Sequence, residues 1–317
     1  MADTLHLART KFVPVSTRGE TTEFEHWAWP YLLALPFMFY MAAWAHLKKA
    51  YCKARRLEPP KVNFWLGDGM SDSGAKIRDN AALSTALDVI YNYDFARPLG
   101  RTPFRRFVDV CWMRIRNAQA VRNRLIVAKR ELRTVIRQMA KPGQPLKILS
   151  LAAGSAQGVI EVAAECVRSG IDVRLLLVDH DEKALRLAHQ LGHRFNIADR
   201  IETKLYNVMQ FSRNADIRNF KPDIVDMMGF VDYLIDKQAV FVFKQVHEHL
   251  RQGGYFFTCH IHWNAEAYFL RHIINWGMRY RSRDQLKELL VDGGFVDPQL
   301  ETEPLGIHSV AVAQKIV

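Results

Sequence analysis

The sequence predicts an α/β fold: a mostly parallel sheet with helices on both faces, preceded by an N-terminal helical extension. Three observations point there. From Pro145 onward, short apolar runs alternate with helical stretches, the pattern of a parallel sheet covered on both sides. A turn of small residues, Ala152 to Ala156, joins the first of those runs to the helix that follows. Upstream, the regular apolar spacing is three and four residues, which is helical.

The chain has 317 residues, 49% of them hydrophobic and 24% charged, enough to bury a substantial core and to exclude global disorder. The net charge of +11 is concentrated: Lys48 to Lys141 carries 21 basic and 8 acidic residues, while both flanks are near neutral. A block of this kind suits an anionic neighbour, either lipid headgroups or nucleic acid, or reflects solvated helix faces. Cys52, Cys111, Cys166 and Cys259 are scattered without a Cys-x-x-Cys pair, which argues against a disulfide framework or a structural zinc. A reduced, cytosolic setting is the default.

Residues 1–26 are short, mixed and polar. Residues 27–57 form the first unusual segment. The run from Trp27 to Leu47 holds no Asp, Glu, Lys or Arg, has aromatic residues at both ends and is followed by Lys48, Lys49, Lys53, Arg55 and Arg56. Its length suits a membrane span with the C-terminal side in the cytoplasm. Pro36 would kink such a helix, and a buried or interfacial helix in a soluble protein is the alternative. The basic cluster follows the apolar run, which is the wrong order for a cleaved signal peptide.

Residues 58–143 read as a basic helical lid. Asp68-Gly69 and Ser73-Gly74 bracket a turn-rich stretch, and Ala81 to Tyr91 has helical spacing. Phe107 to Ala140 reads as one long basic amphipathic helix ended by Pro142-Gly143. It is suited to lie on anionic lipid, to line a path for an anionic substrate, or to be a lid with a wet back.

In residues 144–317, Lys147–Leu151, Val173–Val178, Ile201–Tyr206, Ile224–Met228 and Tyr255–Cys259 read as buried strands. Phe295–Thr302 and Ile307–Gln314 read as a closing antiparallel pair. The stretch KILSLAAGSAQG is a strand turning through small residues into a helix, so a ligand can approach the backbone and the helix N–H groups favour an anion. Asp179 ends the next apolar strand, 25 residues beyond Gly154. An acid there can accept two hydrogen bonds from ribose hydroxyls, or it can cap the helix starting near Asp181.

From Pro145 to the C-terminus these motifs resemble class I S-adenosylmethionine (SAM)-dependent methyltransferases, which have a Rossmann-like sheet. The resemblance covers ILSLAAGSAQG, the VDHD acid, YNVMQF, PDIVDMMGF, LRQGGYFF and the ending HSVAVAQK. With LSTALDVIYNY and AVRNR upstream, the whole chain resembles a bacterial methyltransferase family without a settled substrate. The resemblance implies that Leu151, Ala152, Ala153, Gly154, Ser155 and Ala156 hold the methionine part of SAM. It implies that Asp179 binds the ribose and His180 flanks the adenine, with Asn207 and Val208 at the adenine edge. Met228 and Gly229 would floor the methyl donor. The chain departs from the pattern at Ser150, where an acid is usual, and at Ala152 and Ala156, where glycines are usual. Those alanines also disfavour a dinucleotide loop.

Methyl transfer needs alignment, and a base only where the acceptor must lose a proton. His260 and His262, just past the fifth strand, and Asp232 and Tyr233, after the fourth, are the candidates for acceptor chemistry. With Glu266 the two histidines could hold a metal, but the spacing is read as polar edge residues and no metal is expected. His189 and His193 are read as surface, and Tyr91 and Tyr93 as packing in the core of the N-terminal helices or, as the alternative, closing over the acceptor. The expected acceptor is a lipid headgroup or amphiphilic small molecule, at the cytoplasmic side of the inner membrane or in the cytoplasm. The alternatives are an RNA or protein methyltransferase using the basic region, and a non-catalytic SAM-binding scaffold.

Overall fold

A computed structural model describes residues 28–316, with side chains from Ala34 onward. The polar segment 1–26 and Trp27 lie outside the described residues.

Five helices come first: α1 (Ala28–Ala54), α2 (Asp72–Asp79), α3 (Ser84–Tyr91), α4 (Pro103–Met113) and α5 (Arg116–Met139). Strands and helices then alternate as β1 (Leu146–Leu151), α6 (Gln157–Arg168), β2 (Val173–Asp179), α7 (Glu182–Arg194), β3 (Ile201–Leu205), α8 (Ala215–Phe220), β4 (Ile224–Met227), α9 (Asp236–His249) and β5 (Tyr255–Ile261). The chain ends with α10 (Ala267–His272), α11 (Arg283–Asp292), β6 (Gln299–Thr302) and β7 (His308–Gln314).

The seven strands lie in the order β3-β2-β1-β4-β5-β7-β6. The first five are parallel, and β7 runs antiparallel to both β5 and β6. The order reverses at β1, which pairs with β2 on one side and β4 on the other, so a crevice opens beyond the C-terminal ends of these strands. Strand residues are buried on both faces, as the continuous apolar runs require. One face packs Ile148, Leu175 and Leu177 against α5, α6 and α7; the other packs Leu149, Leu176 and Val225 against α9 and α11. A further core joins α1 to α4 with Ile261, Phe269, Leu270 and Trp276.

Two upstream elements differ from the sequence reading. Turns run to Met70 as expected, but α2 begins within the end of that turn-rich stretch: Ser71 caps it by accepting from the Gly74 amide at 2.8 Å, and Ser71 and Ser73 are bonded in turn to the buried Asp109 of α4. The single helix expected from Phe107 to Ala140 is broken at Arg114–Ile115. There the Glu266 carboxylate accepts from the amides of Arg116 and Asn117, both at 2.9 Å, and starts a new helix.

The membrane-spanning reading of Trp27–Leu47 is also corrected: no described helix is long and apolar enough to cross a membrane. The helix runs on into Lys48, Lys49 and Lys53, and one side of it belongs to the protein core through Met38, Met41, Ala42 and Ala45. It is tied to α10 by His46 Nδ1 and Tyr268 Oη at 2.9 Å and by Lys49 Nζ donating to the His272 carbonyl at 2.7 Å.

Part of the basic face of α5 turns inward: Arg122, Arg124 and Lys129 are buried, whereas Arg130 and Arg137 are exposed. Lys129 pairs with Glu161 at 2.6 Å, Arg133 bonds Glu165 at 2.8 Å, Arg130 bonds Glu301, and Arg122 donates to the Met113 carbonyl. The charge surplus of this helix is thus partly neutralised by carboxylates of the sheet domain.

Candidate active site

Leu151 ends β1 fully buried, and the loop from Ala152 to Ala156 crosses the top of the sheet. Its Ala153 amide donates to the Val178 carbonyl at 3.1 Å, fastening the loop to β2. Ala152, Gly154 and Ala156 have φ of 49°, 55° and 50°. Two alanines therefore hold the left-handed conformation that glycine usually fills, at a cost of about 1–2 kcal/mol each. Ser155 Oγ donates to Asp88 Oδ1 of α3 at 2.6 Å, and burial pushes the Asp88 carboxyl up to about 6. A Cβ added at Gly154 would stand 2.8 Å from Ser84 Cβ, so α3 lies directly on this loop.

Asp179 sits at the tip of β2, nearly buried. Its Oδ2 accepts from the Gly154 amide at 2.8 Å and its Oδ1 from the Asp181 amide at 2.9 Å. The cap of α7 is Asp181 itself, which accepts from Lys183. The carboxylate of Asp179 therefore ties loop to strand end and keeps lone pairs directed along the crevice. His180 is exposed, with Nδ1 3.2 Å from Asp179 Oδ1. Asn207 begins a 3₁₀ turn after β3, its Oδ1 accepting from Met209 at 2.9 Å, which leaves its amide N–H groups toward solvent; Val208 behind it is buried. Met228 and Gly229 follow β4, and Gly229 has a φ of 84°. A Cβ there would lie 3.6 Å from Arg124 Nη1. Small residues at close-approach positions, a helix N-terminus and a strand-tip acid fit an adenosyl cofactor with a carboxylate at one end.

Beside Gly229 opens a small cavity, continuous with solvent. Its walls are apolar, from Ile77, Leu87, Ile90, Trp112, Val121 and Trp276 among others; its polar lining is Asn117, Arg124, Asp232, Tyr233 and His308. Asp232 accepts from the Ile261 amide at 3.0 Å through Oδ1. Tyr233 Oη accepts from Trp276 Nε1 at 2.6 Å, and burial pushes its phenol up.

The four residues selected for acceptor chemistry divide. Asp232 and Tyr233 line the cavity; His260 and His262 do not. His260 is fully buried, its Nδ1 2.7 Å from Asp232 Oδ1, and His262 Nε2 lies 2.9 Å from Ser309 Oγ. The histidine that reaches the cavity is His308, which pairs with Ile261 across the β5–β7 ladder so that both side chains share one sheet face. Both its ring nitrogens are buried without a hydrogen-bond partner. Burial, helped by Arg124 and the two neighbouring histidines, holds its pKa well below the usual histidine value, so it is a neutral base. Strand alternation around CHIHWN and HSVAVAQ carried that signal, since facing residues on paired strands share a face. Glu266, considered as a third metal ligand, is spent on the start of α5. Among the described residues no three His, Cys, Asp or Glu side chains are grouped to hold a metal ion. Tyr93 donates to Asp109 in the core, whereas Tyr91 accepts from Arg124 Nη2 at 2.9 Å and stands close to the cavity.

Comparison with known proteins supports the same assignment. A solved structure described as a possible exported protein from Bordetella parapertussis superposes with a TM-score of 0.65 at 17% identity, over 88% of this chain and 96% of that one. The SAM-dependent methyltransferase SibL superposes with a TM-score of 0.50 at 13% identity, over 77% and 70% of the two chains. The CMeT domain of the citrinin polyketide synthase does so with 0.50 at 15%, over 78% and 66%. At these identities the likeness is one of fold. No curated protein matches by sequence. The sequence profile of the family described as "Putative methyltransferase" matches residues 61–315. The chain belongs to this methyltransferase family, with the class I fold and SAM as its cofactor.

Proposed function

We propose that the enzyme methylates an amphiphilic small molecule whose apolar body enters the cavity beside Gly229. The observation that carries this reading is the cavity itself: an apolar pouch whose polar groups gather where β4 leaves the sheet. In this reading the loop Leu151–Ala156 and the N-terminus of α6 receive the methionyl end of SAM. Asp179 takes the ribose hydroxyls, His180 and the Asn207–Val208 turn border the adenine, and Met228–Gly229 separate cofactor from acceptor. Bound there, SAM supplies an electrophilic methyl group on a sulfonium. The chain's own residues orient the acceptor and exclude water, and His308, neutral and unpartnered, takes the proton of an acceptor that must lose one. Asp232, on the cavity wall, is held by the Ile261 amide, and His260 lies buried beside it. Calorimetric titration with SAM, followed by mass spectrometry of lipid and metabolite extracts for the gain of one methylene, tests the proposal. Tight SAM binding with no methylated product from any extract would count against a catalytic role and favour the binding scaffold.

The RNA or protein alternative loses support where Arg122, Arg124 and Lys129 of α5 face inward. Surface contact with anionic lipid keeps one specific argument. Phe39, Tyr40, Trp44, Leu47 and Tyr51 are exposed on α1, next to exposed Lys48, Lys53, Arg55 and Arg56. Aromatic side chains beside a basic cluster suit a headgroup interface, so the proposed location is the cytoplasmic face of the membrane, without spanning it. Flotation with phosphatidylglycerol vesicles tests it: wild-type protein floats and the Trp44→Ser, Tyr40→Ser variant does not.

A further inference from the structure

Three other buried cations of this protein have carboxylate partners. Arg78 meets Asp68 at 2.5 Å, Lys129 meets Glu161 at 2.6 Å, and Arg281 meets Asp236 at 2.8 Å. Arg124 does not. It is 3% exposed, and its one hydrogen bond is to the Tyr91 hydroxyl. Among the described residues, no carboxylate oxygen lies within 4.0 Å of its guanidinium. Its other neighbours supply no counter-charge at that range: burial pushes the Cys259 thiol up to about 11 and the Tyr91 phenol up as well. Asp232 and Asp226 attract it only from beyond that range, and a fork of donors with a single hydrogen bond matches a planar oxygen anion.

The place of this residue in the fold says what the anion belongs to. Arg124 lines the cavity whose walls are Leu87, Ile90, Val121 and Trp276, and it stands beside Gly229 at the passage to the cofactor crevice. His308 lines the same cavity with both ring nitrogens unpartnered. Asp232, the one carboxylate in the lining, is engaged by the Ile261 amide and faces His260. We infer that the acceptor is an oxygen acid, a carboxylate or phenolate on an apolar body, and that Arg124 receives its anionic oxygen. This rests on the methyl-transfer reading for the word acceptor, but the anion site stands on the geometry of Arg124 alone.

Two sources could supply the anion, an acidic acceptor or the methionyl carboxylate of SAM, and binding measurements separate them. The full chain is titrated by calorimetry with 2-naphthoate, with its neutral isostere 2-naphthamide, and with S-adenosylhomocysteine. The expected result is a preference of about tenfold or more for the acid over the amide. Arg124→Gln abolishes that preference while still binding S-adenosylhomocysteine, which also shows that the variant is folded. Tyr91→Phe, which leaves the guanidinium in place and frees its last donor, keeps the preference. Equal affinity for acid and amide in the wild-type protein, or binding of neither, would overturn the inference. So would an Arg124→Gln variant that loses S-adenosylhomocysteine yet keeps the acid preference, because the guanidinium would then serve the cofactor. Wild-type protein that binds no S-adenosylhomocysteine would sink the methyl-transfer reading and leave the anion site to be judged on the acid–amide comparison.

Discussion

Asp226, on β4 beneath the site, should make the enzyme less stable as the pH rises, and replacing it by asparagine should remove that loss. Its carboxyl is buried, accepts one hydrogen bond from Ser150 Oγ at 3.0 Å, and is pushed up from 3.8 to about 6, mainly by burial and against the pull of Ser150 and Arg124. A carboxyl whose folded pKa is raised binds its proton more tightly in the folded chain. Its contribution is therefore fully present below the unfolded pKa and is lost as the pH rises through about 6. At about 1.4 kcal/mol per pKa unit, the ionised form costs the fold about 3 kcal/mol above pH 7 and about 0.5 kcal/mol at pH 4. An amide oxygen can still accept from Ser150, so Asp226→Asn keeps the contact and loses the titration. Urea unfolding followed by tryptophan fluorescence, run on both proteins from pH 4 to 8, gives the difference curve. Other titrating groups, Asp88 among them, cancel in it. The stability of the variant relative to wild type should climb by about 2–3 kcal/mol across that range, with its steepest part between pH 4 and 6. A difference that does not change with pH would refute the reasoning.

Three further outcomes follow from the site. Asp179→Ala frees the Gly154 amide and, in the proposed site, removes the acceptor of the ribose hydroxyls, so the calorimetric Kd for SAM should rise about 100-fold; an unchanged Kd would remove Asp179 from the cofactor site. Gly154→Ala sets a methyl group against Ser84 Cβ at a φ of 55°, so it should lower both Tm and SAM affinity, with Ser84→Gly restoring only the part due to collision. His308→Gln should lower kcat by about 10²- to 10⁴-fold and leave S-adenosylhomocysteine binding intact, if the acceptor surrenders a proton; a variant with wild-type kcat would exclude His308 as the base.

The sheet was legible because its signals are local. Buried runs such as Val173–Val178, the small-residue loop at Ala152–Ala156 and the acid at the end of β2 each sit in a contiguous stretch, and the closing antiparallel pair was visible as two apolar runs at the C-terminus. What was not legible depends on partners far along the chain. Helix α2 reads as turns until Asp109, 36 residues after Ser73, holds its first turn. The break before α5 is made by Glu266, about 150 positions away. Arg124 and Lys129 read as the wet face of a basic helix because a helical wheel cannot distinguish solvent from a second buried face. For His308, alternation along HSVAVAQ gives a face only once the register of β7 on β5 is known, and tertiary structure sets that register.

The proposed acceptor cavity takes walls from both halves of the chain. Leu87, Ile90, Val121 and Arg124 come from the helices before Lys141 and Gly229, Asp232, Trp276 and His308 from the part after it, whereas the loop at Leu151–Ala156, Asp179 and Asn207 belong to the later part alone. In descendants of one ancestral gene, drift confined to the first 140 residues thus reshapes one wall of the cavity and leaves the opposite wall and the proposed donor machinery untouched. The same seam is where chimeras of two relatives should be joined, near the Lys141–Gln144 bridge. Pairs that cross the junction must then be transplanted together, among them Ser84 with Gly154, Asp88 with Ser155, Lys129 with Glu161 and Asn117 with Glu266.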